Sequence, residues 1–237
     1  MMSEDFVIQC VSPFSNDTAI TVDQFWCEFD VSKYQDDLYP ALDISFPDFL
    51  LGAVQKRKAE FLAGRYCAAS VLRRLGSQSL QVKKGEHGCP IWPEGIKGAI
   101  SHTGNRACSL VCADPGLAGL GVDIEEVVTS ELLEQVSDMI LVAEERPLLQ
   151  QRYFDARVVF TLIFSLKESF FKAAYPIVGE YFDFDRVTVV GIDSKAQVIS
   201  FRVNGPLHER FPDGSCYQAH YAYVTKSILA TFVFLPV

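Results

Sequence analysis

The chain has 237 residues, of which 49% are hydrophobic and 22% are charged, as expected for a globular protein that can bury a sizeable core. Its longest apolar runs, around 158–164 and 228–237, are too short to cross a bilayer, which excludes a membrane-spanning helix. The N-terminal MMSEDF lacks the basic and apolar regions of a signal peptide, so we expect a cytoplasmic protein.

The formal net charge of −9 is distributed unevenly. Residues 1–55 carry ten acids and one lysine, residues 56–106 carry three acids and ten basic residues, and residues 107–237 carry seventeen acids and ten basic residues. The basic middle segment indicates a local anion site, although solvated helix and loop faces would give the same composition. Because it has few aromatic residues and no nucleic-acid-binding motif, we expect no nucleic-acid partner.

The seven cysteines form no CxxC pair, and none lies near two histidines at zinc spacing. We therefore expect reduced, mostly buried thiols and no structural zinc site. Cys108 and Cys112 lie four apart in a strand-like run and should share one face of the strand.

The first fifty residues are predicted to form short strands and loops, with partial alternation of apolar and polar residues over 19–31. The next segment, 54–75, predicts a helix that ends at Gly76. Arg65 falls on the apolar face of this helix. An arginine in that position either extends its head to solvent or meets an anion.

A Gly- and Pro-rich stretch is followed by two predicted strands, about 97–101 and 106–113, joined by the turn HTGN. Ser101 and His102 stand at the end of the first strand. Both side chains can donate hydrogen bonds to a phosphate, although a single histidine there is more often structural. The chain has no Ser-His-Asp pattern, GxSxG, Walker-A loop or GxGxxG after a strand.

The second half repeats this mixture of helix and strand. LGVDIEEV (120–127) predicts a strand, residues 130–150 a helix, and residues 156–175 a long helix closed by Pro176. Further strands are predicted near 186–192, 197–203 and 217–235. Because each half combines one strong helix with strands, we predict an α+β fold of two similar halves, residues 1–117 and 118–237.

Asp123 and Glu125 should point to the same face of the predicted strand. Two carboxylates on one face repel each other unless a cation or hydrogen bonds compensate, and Mg2+ fits such an arrangement. Glu168 is the candidate for a third carboxylate. The alternative is that the acids of DIEE only lead into the next helix, whose N-terminal dipole favours negative charge.

FSLKESFFKA (164–173) places three charged side chains in an apolar helix. Lys167 falls within the apolar stripe, where a charge needs a partner. Glu168 and Lys172 are four apart, and as a surface pair they would contribute only about 0.3–0.5 kcal/mol.

Four stretches together resemble the 4'-phosphopantetheinyl transferases of the surfactin-type branch, and in particular the enterobactin synthase component D subgroup. They are KRKAEFLAGR (56–65), PIWPEGIKGAISHTG (90–104), GVDIEE (121–126) and FSLKESFFKA (164–173), and they follow the order found in the family. GVDIE alone is weak evidence. GVDIE followed some forty residues later by SxKESxxK is specific.

The resemblance implies two α+β halves in a pseudo-twofold relation, each with a small sheet on a long helix, and coenzyme A in the cleft between them. It implies Mg2+-dependent transfer of phosphopantetheine from coenzyme A to a serine of an apo acyl, peptidyl or aryl carrier protein, with release of adenosine 3',5'-bisphosphate. The subgroup suggests nonribosomal peptide and siderophore biosynthesis, such as that of enterobactin. Members of this length are usually monomeric, so we expect a monomer.

By the same resemblance, Asp123, Glu125 and Glu168 would bind the magnesium ion. Glu168 would also be the general base for the carrier serine, so that catalysis would rest on Glu168, Lys172 and Asp123. Lys172 would steady the charge on the leaving group near the pyrophosphate. Lys167 would support the site or contact a phosphate.

The resemblance also assigns contacts to coenzyme A in the first half. Ser101 and His102 would hold its 3'-phosphate. Lys56, Arg57 and Arg65 would add positive charge near the phosphates, which would account for the basic middle segment.

The sequence departs from the family at two places. Phe164 stands where many members have tryptophan. Many members also have a lysine or arginine just before the proline at position 90, a contact that His87 or Lys84 could replace here.

Two other functions stay open at this point. One is a non-catalytic carrier-binding scaffold on a degenerate transferase fold, against which the intact acids argue. The other is a different Mg2+-dependent nucleotide phosphotransferase, which would show no preference for coenzyme A over ATP.

Overall fold

The computed structural model describes residues 5–14, 21–151 and 154–237. The chain divides into two compact units, Met1–Leu120 with Val237, and Gly121–Pro236. Each unit combines a β-sheet with one long helix, which confirms the α+β fold class. The domain limits 1–117 and 118–237 stay a prediction.

The first unit packs one long helix on a four-stranded antiparallel sheet. Its helices are α1 (Leu38–Ala41) and α2 (Gln55–Arg74), and its strands are β1 (Val7–Cys10), β2 (Asp23–Phe29), β3 (Lys83–Lys84), β4 (Pro90–Ile91), β5 (Lys97–Thr103) and β6 (Arg106–Cys112). The sheet order is β1-β2-β6-β5, and β3 pairs separately with β4. A Cβ on Gly64 would lie 2.9 Å from Ile100 Cγ2, so this glycine permits the close approach of α2 to β5.

The second unit holds the other long helix. Its helices are α3 (Ser130–Ile140) and α4 (Ala156–Val178), and its strands are β7 (Leu117–Glu126), β8 (Val187–Asp193), β9 (Val198–Val203), β10 (Cys216–Thr225) and β11 (Ile228–Pro236). The sheet order is β7-β11-β10-β9-β8. Helix α4 is tied to β11 by buried hydroxyls, because Ser165 Oγ lies 2.9 Å and Ser169 Oγ 2.7 Å from Thr231 Oγ1.

Two helix boundaries differ from the predictions. The predicted helix 130–150 is interrupted, since α3 ends at Ile140 and a 3-10 helix runs over Ala143–Gln150. Pro147, which has no backbone N–H to donate, lies in that second segment. Pro176 does not close α4, which continues to Val178. The helix ends at Gly179, whose left-handed backbone (φ 75°) lets its N–H donate to Tyr175 O at 2.8 Å.

The other predicted elements agree with the structure. The helix over 54–75, the strands around HTGN and the strand at 120–127 are all present, although β7 begins earlier, at Leu117. Of the predicted 19–31 segment, the structure shows β2, while residues 15–20 lie outside the described part. All seven cysteines are free thiols, and four of them are buried. Within the described ranges, no helix is long and apolar enough to cross a membrane.

Candidate functional site

Strand β7 places Asp123 beside helix α4. The Nζ of Lys172 donates to Asp123 Oδ1 at 2.7 Å and to the carbonyl oxygen of Val122 at 3.1 Å. Asp123 is only 3% exposed, so its carboxylate is paired in surroundings of low polarity. Lys172 therefore forms its ion pair with Asp123 on strand β7. The surface ion pair with Glu168 that the i,i+4 spacing suggested is not its main contact.

The contact between β7 and α4 depends on Gly121, the first residue of the GVDIEE motif. A Cβ at this position would overlap the carbonyl oxygen of Ser169 and come within 2.9 Å of the Ala173 nitrogen. The strand backbone thus lies directly against one turn of α4. This close approach brings Asp123 within reach of Lys172, one turn along the helix.

Glu125 and Glu168 belong to the same electrostatic environment. Burial, together with the carboxylates of Asp123 and Glu168, raises the pKa of Glu125 to about 8, and the Lys172 ammonium opposes this shift. Burial likewise raises the pKa of Glu168, with Lys172 opposing and Asp123 adding to the shift. The structure therefore brings together the three predicted acids and Lys172, and with all three acids ionised the cluster would hold more negative charge than one ammonium offsets.

The predicted metal ligands do not form a ready-made coordination set. Across residues 5–14, 21–151 and 154–237, no group of three His, Cys, Asp or Glu side chains is placed closely enough to hold a metal ion. The charges of Asp123 and Glu168 shift the pKa of Glu125, so the three acids lie in one region of the structure. The Asp123 carboxylate accepts a hydrogen bond from Lys172.

The raised pKa of Glu125 predicts how metal-free stability depends on pH. Between pH 4.5 and about 8 the folded protein holds a proton that the unfolded chain has lost, so stability falls as pH rises through this window. In a chelator-containing buffer, Glu125→Gln should lose less stability than the parent between pH 6 and pH 8, by on the order of 1–2 kcal/mol. Urea unfolding at both pH values measures the difference, and parallel losses in the two proteins would contradict the prediction.

Lys167 has a buried partner that the sequence did not identify. Its Nζ donates to Glu145 Oε2 at 2.7 Å and to the Ile140 carbonyl oxygen at 2.8 Å. Glu145 is fully buried and also accepts from the backbone N–H groups of Val142 and Val189, at 3.0 and 2.7 Å. Burial lowers the pKa of Lys167, and Glu145 opposes that shift. The pair joins α4 to the 3-10 segment and to β8.

The sequence predicted that Lys167 needs a buried partner, but it did not identify that partner. An apolar stripe around Lys167 implied a buried partner, but nothing in AEERP marked Glu145 as that partner. The direct contact of Lys167 with coenzyme A stays a prediction. In the structure Lys167 is 2% exposed, and its ammonium group donates hydrogen bonds to protein atoms.

Removal of one member of this pair should be costly. Lys167→Met leaves the Glu145 carboxylate buried without its cation, and we expect a loss of about 3–5 kcal/mol in the free energy of unfolding. Adding Glu145→Gln removes the uncompensated charge and should restore part of that loss. Urea unfolding of the two variants tests this expectation, which fails if the double variant is the less stable one.

A cavity of about 190 Å3 lies beside Glu168 within the second unit. Its lining is largely aromatic: Phe171, Tyr181, Phe182 and Phe184, with Lys167, Glu168, Asp183 and Val187. An acid with a raised pKa at the wall of an aromatic cavity is a typical candidate for acid–base chemistry.

The first unit contains a smaller, basic cavity of about 140 Å3. Arg57, Arg65, Lys84 and His102 line it, together with Glu60. Nη1 of Arg57 lies 3.5 Å from His102 Nε2, and Glu60 Oε2 lies 3.9 Å from both Arg57 Nη1 and His102 Nδ1. One acid thus offsets part of an otherwise positive wall, which can attract an anion.

The remaining predicted phosphate contacts are arranged differently. Ser101 and His102 are successive residues of β5 and therefore point to opposite faces of the sheet, so their side chains do not line one cavity together. Lys56 lies outside the cavity lining, 3.8 Å from Glu60. Lys84, one of the two suggested substitutes for a missing basic residue, does line the cavity.

The fold and the site define an α+β protein with a basic cavity in one unit and an acid–lysine cluster in the other. A family model described as 4'-phosphopantetheinyl transferase N-terminal domain matches residues 48–112. A model described as 4'-phosphopantetheinyl transferase superfamily matches residues 119–230. The chain therefore belongs to the 4'-phosphopantetheinyl transferase superfamily.

Curated relatives agree with this assignment. Enterobactin synthase component D of Salmonella typhi is 34% identical over 167 residues, which are 70% of this chain and 64% of that protein. The 4'-phosphopantetheinyl transferase Npt of Nocardia iowensis is 30% identical over 159 residues, 66% of this chain and 68% of that protein. The match thus spans less than two thirds of the length of the enterobactin relative. The solved holo-[acyl-carrier-protein] synthase of Thermotoga maritima overlaps with a TM-score of 0.37 and 24% identity over 51% of this chain and 64% of its own, too little for any inference.

Proposed function

We propose that this protein is an enzyme that transfers 4'-phosphopantetheine from coenzyme A to a serine of an apo carrier protein, releasing adenosine 3',5'-bisphosphate. The observation that carries the proposal is the cluster of Asp123, Glu125, Glu168 and Lys172. Phosphoryl transfer depends on charge neutralisation and positioning, and these residues supply both kinds of charge at one place.

The cluster fits a divalent cation by its chemistry. Burial and mutual repulsion raise the pKa of Glu125 and of Glu168, and a cation would relieve that repulsion. Hard oxygen donors suit Mg2+, which keeps several waters and needs only a few carboxylates. We propose that Asp123, Glu125 and Glu168 hold Mg2+, which when bound would neutralise charge on the pyrophosphate.

The protein side chains would divide the remaining work. Glu168 would take the proton from the hydroxyl of the carrier serine. In the same step the serine oxygen would form a bond to the phosphorus that carries pantetheine. The phosphorus–oxygen bond to adenosine 3',5'-bisphosphate breaks in the same displacement. Lys172 would stabilise negative charge on that leaving group. The nucleophile belongs to the carrier, so the chain needs no activated serine or cysteine of its own.

We propose that the basic cavity of the first unit holds the 3'-phosphate of coenzyme A. Arg57, Arg65 and His102 line it and can donate to phosphate oxygens, and Lys84 adds charge. Ser101 and Lys56 would act outside this cavity. Lys167 would support the site by fixing α4 through Glu145.

The biological setting is inferred from the relatives. Similarity to enterobactin synthase component D supports a carrier protein of nonribosomal peptide or siderophore biosynthesis. We propose further that the enzyme acts as a cytoplasmic monomer. The proposed transfer reaction is the same whichever carrier protein is modified.

Mass spectrometry of apo carriers tests the function directly. The protein would be mixed with coenzyme A, Mg2+ and a panel of apo peptidyl, aryl and acyl carrier proteins. We expect a phosphopantetheine mass increment on at least one carrier, lost on addition of a chelator. Carrier binding without any increment would instead support the scaffold function.

A further inference from the structure

The basic cavity of the first unit contains one acid, which the proposed binding of a phosphate does not explain. Among the described residues that line this cavity, Glu60 is the only aspartate or glutamate. Its side chain is only 13% exposed, and its carboxylate lies within ion-pair distance of Lys56 and Arg57. A carboxylate at this place repels a phosphate dianion, so we looked for a role that compensates for the repulsion.

The contacts of His102 indicate which of its ring nitrogens carries the proton. Arg57 Nη1 lies 3.5 Å from His102 Nε2. Because a guanidinium only donates hydrogen bonds, Nε2 accepts in this contact, and the proton of the neutral ring is on Nδ1. Glu60 Oε2 lies 3.9 Å from that Nδ1. The imidazole therefore lies between a cation at one nitrogen and a carboxylate at the other.

A bound phosphate would require the opposite behaviour of Nε2. The oxygens of a phosphate dianion only accept, so His102 can bond to one through Nε2 only when this nitrogen carries a proton. Moving the proton from Nδ1 to Nε2 would leave a lone pair facing the Glu60 carboxylate. Adding a second proton gives a positive ring, which that carboxylate stabilises. Arg57 then no longer donates to Nε2, and its guanidinium is available to the phosphate.

We propose that Glu60 is a positioning residue that lets His102 take up a proton from solvent when the cavity binds a phosphate monoester. The inference rests on the proposed binding of coenzyme A in this cavity. It goes further by giving Glu60 a role and by making the affinity for the 3'-phosphate depend on pH.

The other charged residues of the cavity wall oppose a positive ring. They are Arg57 and Arg65 of α2 and Lys84 of β3. On β6 the residue paired with His102 is Ala107, which is neutral. Within the described lining, Glu60 alone supplies the negative charge that favours protonation of His102 before a phosphate arrives.

The affinity ratio of 3'-dephospho-coenzyme A to coenzyme A isolates the contribution of the 3'-phosphate. Isothermal titration calorimetry on the full chain, with a chelator and without a carrier, measures both dissociation constants between pH 6 and pH 9. We expect the preference for coenzyme A to fall as pH rises, because histidine ordinarily loses its proton near pH 6.5 and Glu60 and the phosphate would delay this loss. His102→Gln should abolish the fall and retain only the change caused by the second ionisation of the phosphate, near pH 6. An equal fall in His102→Gln would overturn the proton uptake.

Glu60→Gln distinguishes positioning of His102 from a structural role. Removal of the carboxylate should move the midpoint of the fall to lower pH by about one unit. Relief of repulsion or a change in packing would instead multiply the preference by a similar factor at every pH and leave the midpoint in place. An unchanged midpoint would therefore overturn the role of Glu60.

Asp36→Asn is the matched control for the loss of one negative charge. Asp36 forms an ion pair with Lys58 of α2, the helix that carries Glu60, and it lines none of the cavities described above. We expect the parental midpoint in this variant. A shift as large as that in Glu60→Gln would show a general effect of charge and would overturn the assignment to Glu60.

Proton counting tests the inference on the parent protein, without relying on the folding of a variant. Calorimetry at pH 7.5 in two buffers of different ionisation enthalpy measures the protons taken up on binding. We expect a larger uptake with coenzyme A than with 3'-dephospho-coenzyme A, and equal uptake would overturn the inference. Equal affinity for the two ligands would overturn it as well. The transfer reaction is tested separately by the mass increment on apo carriers, so its failure is distinguishable from these outcomes.

Discussion

Glu168→Gln should lower the rate of phosphopantetheine transfer by about 10²–10⁴-fold while leaving the fold intact. The substitution keeps the size of a side chain that lies at the wall of an aromatic cavity, and it removes the carboxylate proposed to accept the serine proton. It also removes one negative charge from the cluster around Asp123. The initial rate of mass increment on an apo carrier, with saturating coenzyme A and Mg2+, measures the effect.

Glu126→Gln provides the matched control. Glu126 lies on the same motif but is exposed, and its charge contributes least to the raised pKa of Glu125, so its replacement changes the net charge equally with a small effect on the buried cluster. We expect a nearly unchanged rate in this variant. Melting temperatures of both variants check folding. Near-normal turnover in Glu168→Gln, or an equal loss in Glu126→Gln, would remove Glu168 from the proposed mechanism.

Substitution of Asp123 would test the transfer mechanism less directly than substitution of Glu168. Its carboxylate accepts from Lys172 within a largely buried contact. Asp123→Ala would leave that ammonium without this carboxylate and would loosen β7 from α4 as well as remove a proposed metal ligand. A low rate in this variant therefore combines a stability effect with a catalytic one. Glu168 separates the two more cleanly.

Much of the fold was predictable because its signals are local. The apolar spacing of 156–175 and the turn HTGN define a helix and a hairpin without reference to any other part of the chain. Helix ends were less predictable. Pro176 lies inside α4, and the helix ends only three residues later, where Gly179 adopts a left-handed backbone.

The site could be predicted only as far as residue types and motifs allowed. GVDIEE and FSLKESFFKA identified the acids and Lys172 of the cluster, which the structure brings together. The partners depended on tertiary packing. Neither the Asp123–Lys172 ion pair nor the pairing of Lys167 with Glu145 follows from spacing, since each joins residues more than twenty positions apart.

Ser101 and His102 show the opposite case, in which a motif suggested more than the geometry supports. Adjacent residues suggested a common phosphate contact. In a β-strand, however, neighbours alternate between faces, so only His102 lines the basic cavity. Arg57 and Arg65, which are eight residues apart on a helix, line that cavity together with it.

Gly121→Ala should be among the most destabilising single substitutions in the second unit, with a loss of about 3 kcal/mol or more. The added methyl group would overlap the Ser169 carbonyl oxygen, which is part of a helix backbone and cannot rotate away. The strand would have to move off α4, and Asp123 would then lose its contact with Lys172. We therefore expect a lower melting temperature together with a strongly reduced transfer rate.

Gly191→Ala is the control, because a Cβ at Gly191 would meet no heavy atom within 4 Å. Both glycines lie in strands of the second unit, so their substitution changes the entropy of the unfolded chain to a similar extent. The difference between the two variants then isolates the contact with the helix. We expect Gly191→Ala to stay within about 0.5 kcal/mol of the parent. Similar melting temperatures for the two variants would show that β7 can move away from α4 at little cost, and the glycine of GVDIEE would then need another explanation.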